Sequence, residues 1–447
     1  MDAYLSGSKR PAGTAPGNPS SKHARANPHA DAMDAANRRV FGNVSFRVRQ
    51  EAIIEAVLSN KDVFVIMPTG GGKSLCFQLP AVLSPGITVV VSPLLSLIED
   101  QVSALLQLPG GGVPSAYLCS TCTPDMEKGV YTDLERADKG LYLLYVTPER
   151  LVNHLGFKDR LLALYNNEML ARFVIDEAHC VSSWGHDFRK DYKGLSLLKK
   201  EYPETPIVAL TATARGKVMD DTMKILGIKN SAVTFSAGFD RPNLYFEVRH
   251  KPSSTGETHR EILAYIMQDD RWKETGIVYC MTKKDAEAVS DFLVENKIQA
   301  DYYHAGQTLP MRKLVQGAWS RGEIKVVCAT IAYGMGIDKP NVRYVLHMSL
   351  AKSLEGYYQE AGRAGRDNQR SECIMFYRHS DVGALSRLMM KPPARTLSKG
   401  DADRLEEMQE YCEMRLDCRR KTFAHYFGNG GDGSFSACGN MCDNCIR

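Results

Sequence analysis

Several groups of residues in this chain have the types and spacing to do chemistry. Met67 to Ser74 reads M-P-T-G-G-G-K-S. Gly70, Gly71 and Gly72 lack a Cβ, so backbone N–H groups in such a loop, with Thr69 in the same turn, can close around phosphate oxygens. Lys73 would reach the β- and γ-phosphates of a nucleotide, and Ser74 would offer its hydroxyl to Mg²⁺. The strict G-x-x-x-x-G-K-[ST] pattern has Gly where this chain has Met67. Asp176-Glu177 opens D-E-A-H, which ends at His179. Asp176 would hold Mg²⁺, directly or through water, and Glu177 would polarise the attacking water. Alone, such a pair reads as a solvated acidic turn. A buried strand before it and a phosphate loop upstream favour the nucleotide site. Gln50 carries an amide able to pair with an adenine edge, although an ordinary exposed glutamine fits the segment too. Arg363 and Arg366 stand at i, i+3 and share a helix face, which by itself also describes a solvated surface. At the C-terminus, Cys438-x3-Cys442-x2-Cys445 supplies three thiolates of a tetrahedral structural Zn²⁺ site. Cys418, Cys412 and His425 compete for the fourth place.

Those residues need elements to hold them. Asp62–Met67 is a short apolar run fit for a buried parallel strand, and the chain from Leu75 can begin a helix. Strand, glycine loop and helix together set a phosphate against a helix N-terminus. Ile87–Val91, Leu141–Val146, Phe173–Ile175 and Ile207–Leu210 are further apolar strands, each ending in a polar loop. Helical stretches separate them, which describes an open parallel sheet with its ligands at the carboxyl ends of the strands. Gly276–Cys280, Ala300–Tyr303 and Lys325–Cys328 predict a second such unit with no phosphate loop, and Thr330–Pro340 follows its last clear strand. Helices are predicted over Glu51–Leu58, Asp285–Val294 and Ala402–Leu416.

The 447 residues suffice for two to four domains. No run approaches the roughly 18 apolar residues of a membrane span. A net charge of +4 and a pI of about 8.3 permit nucleic-acid binding only through a local patch. Of the twelve cysteines, eight are scattered, and the clustering of the rest suggests metal before disulfide. Residues 1 to about 36 are rich in Ser, Pro, Ala, Gly and Asn and read as disordered. Their basic pieces, Lys9-Arg10 and Lys22-His23-Ala24-Arg25, allow a nuclear import signal; a Glu-free tail with Ser and Arg also suits a transit peptide.

The order of phosphate loop, D-E-A-H and Thr211-Ala212-Thr213 resembles a superfamily 2 helicase. The segment Cys180 to Tyr192, with Trp184, His186, Asp187 and Phe188, resembles the aromatic-rich loop of RecQ DNA helicases. Ser183 stands where that family usually has Gln, and Lys190 where it has Pro. Phe41-Gly42-x3-Phe46-Arg47-x2-Gln50 is similar to the family's adenine-sensing motif, Phe239-Asp240-Arg241-Pro242-Asn243 to its junction with a second lobe, and Gln359-x2-Gly362-Arg363-x-Gly365-Arg366 to its arginine element. The resemblance covers roughly residues 38–445, and within the family the Bloom-syndrome type is the nearest. It implies an α/β protein of two RecA-like parallel-sheet lobes followed by a small helical zinc-binding subdomain. The expected divisions are a disordered basic tail at 1–37, an ATP-binding lobe at 38–238, a second lobe at 239–381 and the zinc-binding subdomain at 382–447.

The implied activity is ATP-dependent, 3′→5′ unwinding of DNA in repair, recombination and replication, in the nucleus. The cofactors are ATP, Mg²⁺ and Zn²⁺; the partners are single-stranded and partly duplex DNA, with no membrane. The catalytic residues implied are Lys73, Asp176, Glu177, His179, Gln359, Arg363 and Arg366, an arginine finger coming from the second lobe. Arg47 and Gln50 would hold the base, and Cys418, through its Cys-Arg-Arg context, would be the fourth zinc ligand. Trp184 and Phe188 would stack on unpaired bases, each contact contributing roughly 1–3 kcal/mol, and Arg189 would hold a phosphate. The winged-helix and further helical DNA-binding domains common in the family are not found in this sequence. Two other readings are an RNA-remodelling ATPase, which also uses D-E-A-H, and a non-catalytic strand-binding or annealing protein.

Overall fold

The computed structural model describes residues 28–120, 122–136, 140–182, 189–213, 215–330, 339–390, 396–428 and 438–446. Among these residues the chain builds two parallel sheets with helices packed against them. The first sheet contains β1 (Val63–Ile66), β2 (Ile87–Val91), β3 (Ser115–Leu118), β4 (Leu143–Val146), β5 (Leu170–Ile175), β6 (Ile207–Thr211) and β7 (Val233–Ser236), in the order β3-β4-β2-β5-β6-β1-β7. The second contains β8 (Leu244–His250), β9 (Thr275–Tyr279), β10 (Ala300–Tyr303), β11 (Val326–Ala329), β12 (Val342–His347) and β13 (Ser371–Tyr377), in the order β10-β11-β9-β12-β13-β8. The central strands are unbroken apolar runs because helices cover both of their faces; β1, β2, β4 and β6 are buried along their whole length.

Register sets the site. β6 lies between β5 and β1, with Val174 opposite Val208 and Val63 opposite Val208 on the other side. The loops leaving β1, β6 and β5 therefore emerge side by side. They carry, in that order, the glycine loop, Thr211-Ala212-Thr213 and Asp176-Glu177.

Several strands were not anticipated. β3 and β7 lie at the two edges of their sheet and mix small, polar and apolar residues, with β7 alternating between half-buried and exposed. β8 alternates burial because it is the edge of the second sheet. β12 and β13 are apolar runs of the same kind as the others, so Val326–Ala329 is not the last strand of its unit. The predicted helices are present as Gln50–Leu58, Lys283–Glu295 and Lys399–Glu413. The last ends before Leu416, which is 93% exposed.

The expectation of a structureless tail through residue 37 fails for its final part. Ala30–Arg39 is a helix with Met33, Ala36 and Asn37 buried. Met33 and Ala36 pack into a cluster with Ile54, Leu75 and Leu79. One methionine and small alanines make little periodicity in sequence, so it is the surface beneath them that orders the helix.

Candidate active site

A cavity of about 530 Å³ lies between the two sheets. The first lobe lines it with Arg47, Gln50, Thr69, Gly70, Gly72, Lys73, Ser74, Asp176 and Glu177. The second contributes Gln359, Arg363 and Arg366. Residues up to about 320 positions apart in sequence thus meet at one opening.

The glycine loop is shaped by what surrounds it. Gly70 and Gly72 have φ of +80° and +88°, where a side chain would be strained. A Cβ on Gly72 would run into the Gln50 amide nitrogen, and one on Gly71 would stand 2.5 Å from Met67 Cγ. Met67, at the position where the strict pattern has Gly, is itself buried. Its side chain fills the space that Gly71 leaves, which is how the loop accommodates the departure. Lys73 Nζ donates to the Met67 carbonyl at 3.1 Å. Burial lowers the Lys73 pKa, while the charges of Glu177 and Asp176 oppose that shift. Ser74 precedes the helix Leu75–Leu83 without a side-chain cap. The Cys76 and Phe77 N–H groups are taken up within the turn, donating to the Lys73 and Ser74 carbonyls at 3.0 and 3.2 Å, so the positive end offered to an anion lies in the loop that leads into the helix.

Asp176 is buried, and burial together with neighbouring Glu177 pushes its carboxyl up to about 6. Its partners form a chain not foreseen from sequence. Gln101 Nε2 donates to Asp176 Oδ2 at 3.4 Å, Tyr145 Oη donates to Gln101 Oε1 at 3.1 Å, and Gln78 Nε2 donates to Tyr145 Oη at 3.2 Å. Tyr192 Oη also donates to the Asp176 carbonyl at 3.1 Å. Glu177 has φ of +48°, a conformation costing a non-glycine residue about 1–3 kcal/mol. His179 does not line the cavity. It lies behind Glu177, Nδ1 standing 3.3 Å from Glu177 Oε2 and 2.9 Å from Thr211 Oγ1. It joins Glu177 of the acidic pair to Thr211 at the end of β6.

Gln50 accepts the Arg47 backbone N–H at 2.7 Å and donates to the Gly72 carbonyl at 3.0 Å. Arg47 donates to the Gly70 carbonyl. The motif expected to sense a base is thus bonded directly to the phosphate loop, and Gln50 keeps a second amide N–H for a ligand. Across the cavity, Arg363 is buried and its Nε has no hydrogen-bond partner among the described residues. Glu360, between Gln359 and Arg363, is within 2.8 Å of His347. Of the strand-binding candidates, Trp184 and Phe188 lie outside the described residues. Arg189 Nη1 donates to the Pro93 carbonyl at 2.6 Å, tying it to the loop after β2.

The cysteine alternatives resolve. The sulfurs of Cys418, Cys438, Cys442 and Cys445 all lie within 4.8 Å of one another. The 3.7 Å from Cys438 to Cys442 and 3.9 Å from Cys442 to Cys418 match the roughly 3.8 Å edge of a tetrahedron with Zn–S bonds of about 2.3 Å. Cys412 and His425 are not members of the group. Arg419, 1% exposed, links both sides of the cluster by bonding Asp443 and the Tyr411 carbonyl. Phe246 on β8 donates its N–H to the Met441 carbonyl at 3.2 Å, so the zinc subdomain covers the open edge of the second sheet.

Comparison with known proteins agrees with this architecture. A DEAD/DEAH box helicase family model matches residues 47–222, a helicase conserved C-terminal domain model residues 258–368, and a RecQ zinc-binding model residues 379–446. ATP-dependent DNA helicase Q-like 2 of Arabidopsis thaliana is 44% identical over 412 residues, which are 92% of this chain and 56% of that protein. ATP-dependent DNA helicase Q1 of Rattus norvegicus is 42% identical over 410 residues, 92% of this chain and 64% of its own length. The RecQ-like DNA helicase BLM of Xenopus laevis is 42% identical over 425 residues, 94% of this chain but 31% of that one. Identity therefore does not separate the Q1 type from the Bloom type, and the chain spans less than two thirds of each relative. Among solved structures, the helicase MrfA bound to DNA superposes with a TM-score of 0.64 at 19% identity, covering 77% of this chain and 50% of that one. The Mycobacterium smegmatis helicase Lhr bound to ssDNA and AMP-PNP gives 0.60 at 18%, covering 80% and 50%. These two show the shared two-lobe fold. With its phosphate loop, acidic pair, arginine element and four-cysteine cluster in place on that fold, the chain belongs to the RecQ family of superfamily 2 helicases.

Proposed function

We propose that this chain is an ATP-dependent DNA helicase that moves 3′→5′ on single-stranded DNA and opens duplexes during DNA repair, recombination and replication in the nucleus. The observation that carries the reading is the single cavity to which one lobe brings the glycine loop and acidic pair and the other brings Gln359, Arg363 and Arg366. In this reading ATP binds there, with its phosphates against the open helix start at Ser74 and its base near Gln50 and Arg47. Mg²⁺, held by Ser74 and Asp176, supplies neutralisation of phosphate charge when bound. Glu177 orients and polarises the attacking water, its unusual backbone fixing the carboxylate beside His179. Lys73, Arg363 and Arg366 stabilise charge on the transferred phosphoryl group. Closing the lobes on ATP and reopening after hydrolysis would advance the strand.

The zinc site is structural in this reading, since four thiolates leave no open position. Trp184, Phe188 and Arg189 contact the strand. No helix among the described residues is long and apolar enough to cross a membrane. The test is twofold. ATP hydrolysis should rise with single-stranded DNA much more than with RNA of the same sequence, and duplexes with a 3′ overhang should open where those with a 5′ overhang do not. Equal stimulation by RNA would favour an RNA-remodelling ATPase, and absence of hydrolysis would leave a strand-binding protein.

A further inference from the structure

We propose that Arg241 is a positioning residue for nucleotide turnover, one guanidinium that holds the phosphate loop of the first lobe in register with the arginine element of the second. Arg241 precedes β8 and is 9% exposed. Its Nη1 donates to the Thr69 carbonyl at 2.7 Å and the Gly362 carbonyl at 3.3 Å. Its Nη2 donates to the Ala364 carbonyl at 3.0 Å and the Gly365 carbonyl at 2.9 Å. Thr69 lies in the glycine loop; the other three acceptors surround Arg363 and lead to Arg366. All four are backbone carbonyls, so the side chain fixes the path of the main chain on both sides of the cavity. Only a planar fork with several fixed N–H groups can serve both segments at once.

Close packing at the same point supports this. A Cβ on Gly362 would stand 3.5 Å from the Thr69 Cβ, and Gly365, with φ of +57°, leaves the space that the Asn243 amide occupies. Asn243 Nδ2 donates to the Gly365 carbonyl at 2.8 Å, a second bond from the same short segment to the arginine element. The residues just before Arg241 are themselves anchored. Phe239 stacks on Phe427 with ring centroids 4.4 Å apart, and its carbonyl accepts from Tyr358 Oη at 2.6 Å. Arg420 bonds Asp240 and also donates to the Cys438 carbonyl at 3.1 Å. The zinc subdomain, the linker and the phosphate loop are thus joined through three consecutive residues.

Three of the four Arg241 bonds stay within the second-lobe side. The bond to Thr69 is the one that crosses between the lobes and parts if they separate. Losing it should misplace Arg363 and Arg366 relative to the phosphates while leaving the nucleotide's own contacts with the first lobe intact.

The inference rests on the ATP-hydrolysing reading, and the experiment separates the two. Steady-state ATP hydrolysis with saturating single-stranded DNA is measured for wild type, Arg241→Gln and Arg241→Lys, alongside equilibrium binding of a fluorescent ATP analogue. Wild type that fails to hydrolyse ATP defeats the reading of function itself. With active wild type, Arg241→Gln is expected to lower kcat by about 10²-fold, the scale of a small misplacement of reacting groups. KM and analogue affinity should stay close to wild type, the mark of an interaction made only on the way to the transition state. Arg241→Lys keeps the charge without the fork and should recover part of kcat; it also decides the matter if the glutamine variant does not fold. Wild-type kcat in Arg241→Lys together with raised KM, or loss of analogue binding in step with kcat, would overturn the proposal.

Discussion

The two lobes solve the same joint differently. β1 and β8 are each the first strand of their sheet, and each pairs with that sheet's last central strand, β6 or β13. Each is followed by a loop containing a lysine and then by a helix. After β8, Lys251 Nζ is 3.1 Å from Asp381 Oδ2, a buried ion pair. Ser254 then caps the helix Thr255–Met267 by accepting the Glu257 N–H at 3.1 Å. The joint is closed: its cation is neutralised and its first turn is satisfied from within. After β1, Lys73 has only the Met67 carbonyl within hydrogen-bond reach among the described residues, and the helix that follows Ser74 has no side-chain cap. That joint has neither an ion pair nor a side-chain cap among the described residues, and in the proposed reading a phosphate takes their place. One fold therefore yields a ligand site or a structural strut according to whether the loop brings glycines or its own carboxylate and hydroxyl.

The comparison can be broken most forcefully at the lysines. Lys73→Ala should reduce ATP turnover by at least about 10³-fold, and a hydrolysis assay on folded protein reads this directly. Lys251→Ala should leave turnover per folded molecule unchanged; a matching loss of activity there would end the contrast. Glu177→Gln comes next, with hydrolysis down by about 10²-fold or more while ATP binding persists. Near wild-type hydrolysis in that variant would remove Glu177 from its role. For Lys251→Ala the effect falls on stability. Removing Lys251 leaves buried Asp381 with Arg378 as its remaining cation, Nε 3.3 Å away, so the loss should sit at the low end for a broken buried pair, about 3 kcal/mol. Urea unfolding measures it.

The smallest effect sharpens the contrast best. Ser254→Ala should cost about 1 kcal/mol of stability through its lost cap. Ser74→Ala, with no cap to lose, should leave the unfolding midpoint in place and act on Mg²⁺-dependent turnover alone.

Motif residues were legible in sequence where chemistry demands a fixed local order. Thr69, Gly70, Gly72, Lys73 and Ser74 of the glycine loop, Asp176-Glu177, and Gln359, Arg363 and Arg366 of the arginine element all line one cavity. His179 lies behind Glu177 and outside the lining of that cavity, because sequence adjacency to Glu177 says nothing about which way a side chain faces. Gln78, Gln101 and Tyr145 were missed because they meet only after the sheet has formed, and each alone reads as an ordinary helix or strand residue. From sequence Arg241 is part of a junction motif and no more. Its acceptors are four carbonyls, and a carbonyl has no sequence signature. β13 was a different kind of miss, since Cys373–Tyr377 is an apolar run as plain as those that were recognised.

The linker also bears on how this architecture is inherited. The three family models cover 47–222, 258–368 and 379–446 and so divide the chain into three modules. Phe239, Asp240 and Arg241 fall in the gap between the first two, yet they tie other modules together: Phe239 and Asp240 reach Phe427 and Arg420 of the zinc subdomain, and Arg241 reaches the phosphate loop and the arginine element. A chimera that swaps either lobe or the zinc subdomain at the module boundaries would bring in a surface matched to another linker. Recombination among relatives should therefore tolerate exchange of outer helices and loops far better than exchange of any whole module.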